Sequence, residues 1–366
     1  MMPDMTNTLS LTRIGVPAEV KADERRIALT PDGAGELVAR GASVVIQTGA
    51  GLGAGFNDDE YRAAGATIGS VDEAWAADLV LKVKEPKEDE FAQLRADLTL
   101  FTYLHLAAYP AVAQALMEAG TTAFAYETVT DADGGLPLLA PMSTIAGALA
   151  AQMGVHHLSA HLGGAGILAG GAPGVPPARA IVIGAGNVGW TAARNLLGLG
   201  AEVVVIDRDL SRLAWVDQHA TGRCTTVAAT RPAIARAVAN ADLVIGAVLV
   251  AGDRAPVVVD EDMVRSMRPA SVIVDVAVDQ GGCIATTSET THREPTRVVH
   301  GVVHYAVGNM PGAVPRTSTL ALTNATLPRI VELASKGAQA ADSPLLLGGL
   351  NVQGGSIVNP TVAAAL

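Results

Sequence analysis

The sequence predicts an α/β protein of two doubly wound domains with a cleft between them, linked by long helices. Three observations carry this expectation. Short runs rich in Val, Ile and Leu alternate with helical segments over most of the chain, the pattern of a parallel sheet with crossover helices. A glycine-punctuated β-α-β unit occupies residues 179–207. The length, 366 residues, exceeds what one ordinary core needs and suits two domains.

In chain order, residues 1–10 read as a loose polar leader, without the basic and apolar regions of a secretory signal. A strand is expected at 14–16. Thr30 and Pro31 suit the N-cap and first position of a helix that stops at Gly41. Strand 43–47, helix 58–64, strands 79–83 and 98–103, helix 110–118 and strand 122–126 follow. Residues 143–161 form a long Ala-rich helix between the domains, and 163–177 a Gly/Pro-rich loop or hairpin. Strands at 180–183, 202–206, 225–228, 243–250, 271–278 and 298–307 make six in the second domain, with helices at 211–219, 232–240 and 261–267. Beyond Pro315 a helix spans 319–335. The tail 348–366 has no β-α-β partner of its own and is expected to return to the first domain. The boundaries are therefore 1–142 for the first part of a substrate-binding domain, 143–310 for a nucleotide-binding domain and 311–366 for the helix and returning tail.

The run Gly184-Ala185-Gly186-Asn187-Val188-Gly189 sits between a strand and a helix. Gly184 permits the tight turn, Gly186 lets a pyrophosphate approach the backbone, and Gly189 allows the helix to pack on the strand. The helix N-terminus offers N–H groups and a positive dipole end to phosphates. Asp207 ends the next strand, where a carboxylate accepts from both ribose hydroxyls and repels a 2′-phosphate, favouring NAD over NADP. Arg208 beside it weakens that preference. The second domain is thus Rossmann-like.

The formal net charge of −11 argues against nucleic acid or an anionic membrane surface as the main partner. An anionic substrate must then be captured by a local basic cluster. Cys224 and Cys283 lie far apart without metal-ligand spacing, which fits a reduced compartment. With no apolar run of membrane-spanning length, a cytoplasmic protein is expected.

Four places carry candidate chemistry. Arg25-Arg26 follows the first strand, and a guanidinium is the natural partner of a carboxylate; an Arg pair in a loop is otherwise a solvated surface feature. Lys82 and Lys84 lie at the end of the third predicted strand, where open α/β sheets bind ligands. His105, just past another strand, is either a general acid/base or a satisfied core histidine. Asp279 closes the predicted strand 271–279 and either points at the cleft or caps a turn. Asp275, mid-strand, reads as structural. These positions converge only if the two domains face each other.

Together, GVPAEVKADERRIALTP, LKVKEP, LFTYLHLAA, AYETV, LPLLAPMS, GGAPGVPPA, GAGNVG, ADLVIGAVLV, VDVAVDQGGC, GNMPGAVPRTSTLALTNATLP and GLNVQGG resemble the alanine dehydrogenase family, in order and over almost the whole chain. The transhydrogenase α subunit is related, but the LKVKEP, LHLAA and DQGG blocks favour the dehydrogenase. The resemblance implies reversible oxidative deamination of L-alanine to pyruvate and ammonia, NAD as cofactor and a homo-hexamer. It implies that Arg26 and Lys84 hold the substrate carboxylate and carbonyl, and that His105 and Asp279 serve acid/base steps and stabilise the imine. It further implies that Ser143, the loop Gly184 to Gly189, Asp207, Arg212, Val248, Leu249, Asn309 and Met310 contact NAD. Arg212, Ala165, His304 and Gly308 depart from the family pattern; the last two lie close in sequence to Asn309-Met310 and bear on substrate choice. A dehydrogenase of another small amino or 2-oxo acid, and a non-catalytic NAD-binding subunit, are the alternatives.

Overall fold

The computed structural model describes residues 10–248 and 255–366. Two compact units divide the chain: one takes in the described residues up to Met142 together with Val314–Leu366, the other is Ser143–Ala313. Each is an α/β domain built on its own parallel-rich sheet.

The strands run, in the first unit, β1 (Arg13–Val16), β2 (Ser43–Gln47), β3 (Thr67–Gly69), β4 (Leu79–Leu81), β5 (Thr99–Thr102) and β6 (Thr122–Ala125). The second unit holds β7 (Arg179–Ile183), β8 (Glu202–Asp207), β9 (Cys224–Ala228), β10 (Leu243–Gly246), β11 (Val272–Asp275), β12 (Thr296–Val299) and β13 (Val302–Tyr305). The chain then returns to the first unit for β14 (Leu350–Gln353) and β15 (Ser356–Ile357).

The first sheet has eight strands in the order β15-β14-β6-β5-β4-β1-β2-β3. From β6 to β3 every pairing is parallel; on the other side β14 is antiparallel to β6, and β15, antiparallel to β14, forms the edge. Strands β4 and β5 are buried throughout, as apolar runs covered on both faces must be. Trp75, Leu100, Leu116 and Val352 pack into the core of this unit. The second sheet has seven strands, β12-β13-β11-β10-β7-β8-β9, parallel except for the β12–β13 pair. Ile181, Ile206, Val244 and Ile273 belong to its core.

Local chemistry explains the element starts. Thr30 caps helix Pro31–Ala39 by accepting from the Gly33 N–H, and Pro31 occupies its first turn. Asn57 with Glu60 and Ser70 with Glu73 form capping boxes at Asp58–Ala63 and Val71–Trp75.

Several expectations need correction. Strand β3 and helix Val71–Trp75 lie between the helix expected at 58–64 and the strand expected at 79–83, so that strand is the fourth, and it ends at Leu81, before Lys82 and Lys84. Elements of three and five residues are too short to show a period. The single strand expected at 298–307 is the hairpin β12–β13. Its turn has His300 and Gly301 at φ 53° and 76°, the two left-handed residues that a tight hairpin turn requires. The sheet therefore has seven strands rather than six. The strand expected at 271–278 ends at Asp275, so Asp279 does not close it. The Asp275 carboxylate accepts from the backbone N–H groups of Ala277, Cys283 and Ile284, which turns the chain out of the ladder. Strand β10 ends at Gly246; Leu249 and Val250 lie outside the described residues. The long helix runs Ala140–His157 rather than 143–161.

Candidate active site

In the first unit the Arg25-Arg26 pair splits. Arg25 is exposed, whereas Arg26 is 3% exposed and clamped by Glu24. Arg26 Nε donates to Glu24 Oε1 at 2.7 Å and Nη2 donates to Oε2 at 2.5 Å, a bidentate pair that fixes the guanidinium plane. Nη1 meets Met142 Sδ at 3.1 Å. Burial alone would raise the Glu24 carboxyl, but the hydrogen bonds and charge of Arg26, aided by Lys84, hold it at about 2.

The two lysines also part. Lys82 is fully buried, with Nζ 2.8 Å from Glu90 Oε1 and 3.3 Å from Glu19 Oε2. Burial opposes its charge, and the two carboxylates more than compensate. Lys82 is consumed by this triad, which corrects its standing as a ligand candidate. Glu19 also accepts from the N–H groups of Val83 and Lys84, so it fixes the backbone leaving β4. Lys84 is half-buried, and its charge acts on the Glu24 carboxyl.

The segment leaving β5 is tied to this one. Thr102 Oγ1 donates to the Lys84 carbonyl at 3.0 Å. Tyr103 donates its hydroxyl hydrogen to Leu138 O at 2.7 Å and lies parallel to the His105 ring, centroids 5.8 Å apart. His105 is a non-glycine residue in the left-handed region, φ 48°. Glu127 supplies the restraint: Oε1 accepts the His105 backbone N–H at 2.5 Å, and both oxygens accept that of Leu104 at 3.2 Å. The same Oε1 is 3.8 Å from His105 Nδ1, and 34% of the imidazole remains exposed, enough to meet a substrate. Glu24 lies beside Arg26 and within the field of Lys84, Tyr103 lies beside His105, and the charge of Arg26 acts on the Tyr103 hydroxyl, which joins the three into one group.

In the second unit the run 184–189 joins β7 to helix Asn187–Gly198. Gly184 has φ 106°, and a Cβ there would lie 2.4 Å from Ala247 O and 3.3 Å from Val248 N, so the turn lies against the chain leaving β10. A Cβ at Gly189 would fall 1.7 Å from Gly184 O. At Gly186 the nearest atom to such a Cβ is Arg212 Nη1, 3.6 Å away, and no side chain caps the helix that begins with Asn187. An open backbone cradle before an uncapped helix N-terminus fits a dinucleotide pyrophosphate. Asp207 ends β8 and holds this loop, its Oδ2 accepting the Ala185 N–H at 2.6 Å and its Oδ1 the Asp209 N–H at 2.8 Å. A Cβ at Gly147 would lie 2.3 Å from Val188 O, so helix Ala140–His157 packs on the same loop, with the half-buried Ser143 one turn earlier. Val248 is half-buried against the core. Leu249 falls outside the described residues.

Asp279 lies in a 3-10 turn, Val278–Gln280, and accepts the Asn309 backbone N–H. Asn309 takes φ 56°, and Met310 is buried. Beside them, a Cβ at Gly308 would lie 2.1 Å from Glu289 Oε1; glycine leaves that space to the carboxylate. The buried His304 is occupied by Thr286 Oγ1 at 2.8 Å and Val302 O at 2.9 Å, and burial pushes its pKa down. Asp275, as expected, organises the backbone.

Glu19, Glu24, Tyr103, Glu127 and Met142 were not singled out as site residues from the sequence. Glu24 and Glu127 stand within ADERR and AYETV, but their partners are fixed only by folding. Among the described residues no cluster has metal-ligand composition, and no helix is long and apolar enough to cross a membrane.

Comparison with known proteins agrees with this architecture. Residues 15–146 match the N-terminal domain, and residues 150–360 the C-terminal domain, of the family described as alanine dehydrogenase/PNT. The chain is 56% identical over 357 residues to alanine dehydrogenase of Halomonas elongata, covering 96% of each sequence. A solved L-alanine dehydrogenase superposes with a TM-score of 0.93 at 48% identity, over 96% of this chain and 98% of the other. Transhydrogenase from Sinorhizobium meliloti superposes with a TM-score of 0.82 at 26% identity, over 95% and 99%. With both domains matched in order and nearly the full length covered, the chain belongs to the alanine dehydrogenase/PNT family.

Proposed function

We propose that this protein catalyses the NAD-dependent, reversible oxidative deamination of L-alanine to pyruvate and ammonia. The observation that carries this reading is the gathering of Arg26, Lys84 and a partly exposed His105 in one unit, on a scaffold of Glu24 and Glu127. Arg26 and Lys84 supply the positive charge that an acidic protein otherwise lacks for an α-carboxylate. Lys84 also polarises the pyruvate carbonyl in the reverse direction.

In the second unit, Ser143, the 184–189 loop, Asp207, Arg212, Val248, Asn309 and Met310 would hold NAD, with Leu249 expected beside them. Bound NAD supplies the acceptor for the hydride that leaves the amine carbon. The remaining chemistry is proton handling. His105 accepts the proton that frees the substrate amine for oxidation. After releasing that proton to solvent, the neutral imidazole takes a proton from the water that adds to the imine carbon and returns it to the nitrogen, which leaves as ammonia. Asp279 balances the positive charge of the protonated imine. Asp207 favours NAD, because its carboxylate repels a 2′-phosphate. A cytoplasmic homo-hexamer completes the proposal.

The test is NADH formation at alkaline pH with a panel of L-amino acids, NAD and NADP supplied in turn. Turnover with L-alanine and NAD supports the proposal. Signal only with another amino acid moves the substrate, and NADH binding without any turnover points to a binding subunit.

A further inference from the structure

We infer that Glu127 sets the tautomer of His105, holding the proton on Nδ1 so that Nε2 carries the lone pair that acts as base; this rests on the acid/base role proposed for His105. One carboxylate makes every relevant contact. It receives the backbone N–H groups of Leu104 and His105, which keeps His105 at φ 48°, a conformation a histidine leaves readily without a restraint. Its Oε1 then stands 3.8 Å from Nδ1. An anion at that nitrogen attracts an N–H dipole and repels a lone pair, so the neutral ring carries its hydrogen there. Tyr103, parallel to the imidazole, limits tilting of the ring. Glu127 is 14% exposed and is a positioning residue, acting through His105.

Glu127→Gln separates charge from scaffold, because the amide oxygen still accepts the two backbone N–H groups. The experiment is ¹⁵N NMR of histidine-labelled protein at a pH where the ring is neutral, with the His105 signals assigned by their loss in His105→Gln. Steady-state kinetics accompany it. The expected result is an Nδ1–H tautomer in the parent and a shift of at least threefold towards Nε2–H in Glu127→Gln. In the kinetics, kcat falls about tenfold while KM for alanine stays within about twofold. Adding Glu127→Gln to His105→Ala changes nothing further. An Nε2–H parent, a tautomer unmoved by the substitution, or an equal loss in the His105→Ala background overturns the inference. The spectra report whether or not alanine is turned over, so a parent silent with alanine but showing the tautomer shift would sink the proposed function alone.

Discussion

The Asp279 carboxylate receives the backbone N–H of Asn309 on both of its oxygens, each at 3.2 Å. Asn309 stands at φ 56°, and the Glu127–His105 contact repeats the device at φ 48° in the other unit. A non-glycine residue in this region costs about 1–2 kcal/mol, so each carboxylate offsets a local penalty to hold a side chain where regular secondary structure would not put it.

The two lysines after β4 should separate stability from binding. Lys82→Met leaves Glu19 and Glu90 buried without their cation and should lower stability by about 3–5 kcal/mol, read by urea unfolding. Lys84→Ala should unfold close to the parent and raise KM for pyruvate at least tenfold. Equal stability losses in the two variants would contradict this division.

Asp207 holds the loop through the Ala185 N–H and is the residue proposed to accept from the ribose hydroxyls of NAD. Asp207→Ala should weaken NAD binding and lower the NAD-to-NADP preference in kcat/KM by about tenfold or more. A preference identical to the parent's would remove Asp207 from cofactor selection.

The Glu24–Arg26 pair predicts a pH dependence of stability. Folding lowers the Glu24 carboxyl from 4.5 to about 2, so its contribution is complete above about pH 4.5 and is lost as pH falls towards 2. The shift corresponds to roughly 3 kcal/mol. Glu24→Gln should be less stable than the parent by about that amount at pH 7, with the gap closing between pH 4.5 and 2. A gap independent of pH would show that charge is not what Glu24 contributes.

Two glycines should respond oppositely to an added methyl. Gly189→Ala drives Cβ into the Gly184 carbonyl, backbone against backbone, and should cost about 3 kcal/mol or more along with dinucleotide binding. Gly308→Ala meets the end of the exposed Glu289 side chain, which can swing away, and comes 3.0 Å from Asp279 Oδ1, which need give only a few tenths of an ångström, so it should change stability by less than about 1 kcal/mol. Thermal melts of the pair, with and without NADH, decide it.

Wherever one chain segment carries its own signal, the sequence was readable. Thr30-Pro31 marks a helix start, and GAGNVG the turn from β7 into its helix, because cap and glycine chemistry are local. The hairpin at His300-Gly301 hid inside an apolar run, since only one of its two left-handed residues is glycine. The ending of β11 was hidden as well, because Asp275 turns the chain through N–H groups up to Ile284. Lys82 and Lys84 look equivalent in LKVKEP; only Glu19 and Glu90, brought in by folding, tell them apart. Glu127 lies 22 residues from His105 and has no spacing signature.

The most direct test of the account is the turnover of L-alanine by His105→Ala, with NADH affinity measured on the same preparations by fluorescence titration. Turnover should fall below the parent's by about two to four orders of magnitude, with an NADH affinity within about twofold. Parental turnover in this variant would contradict it.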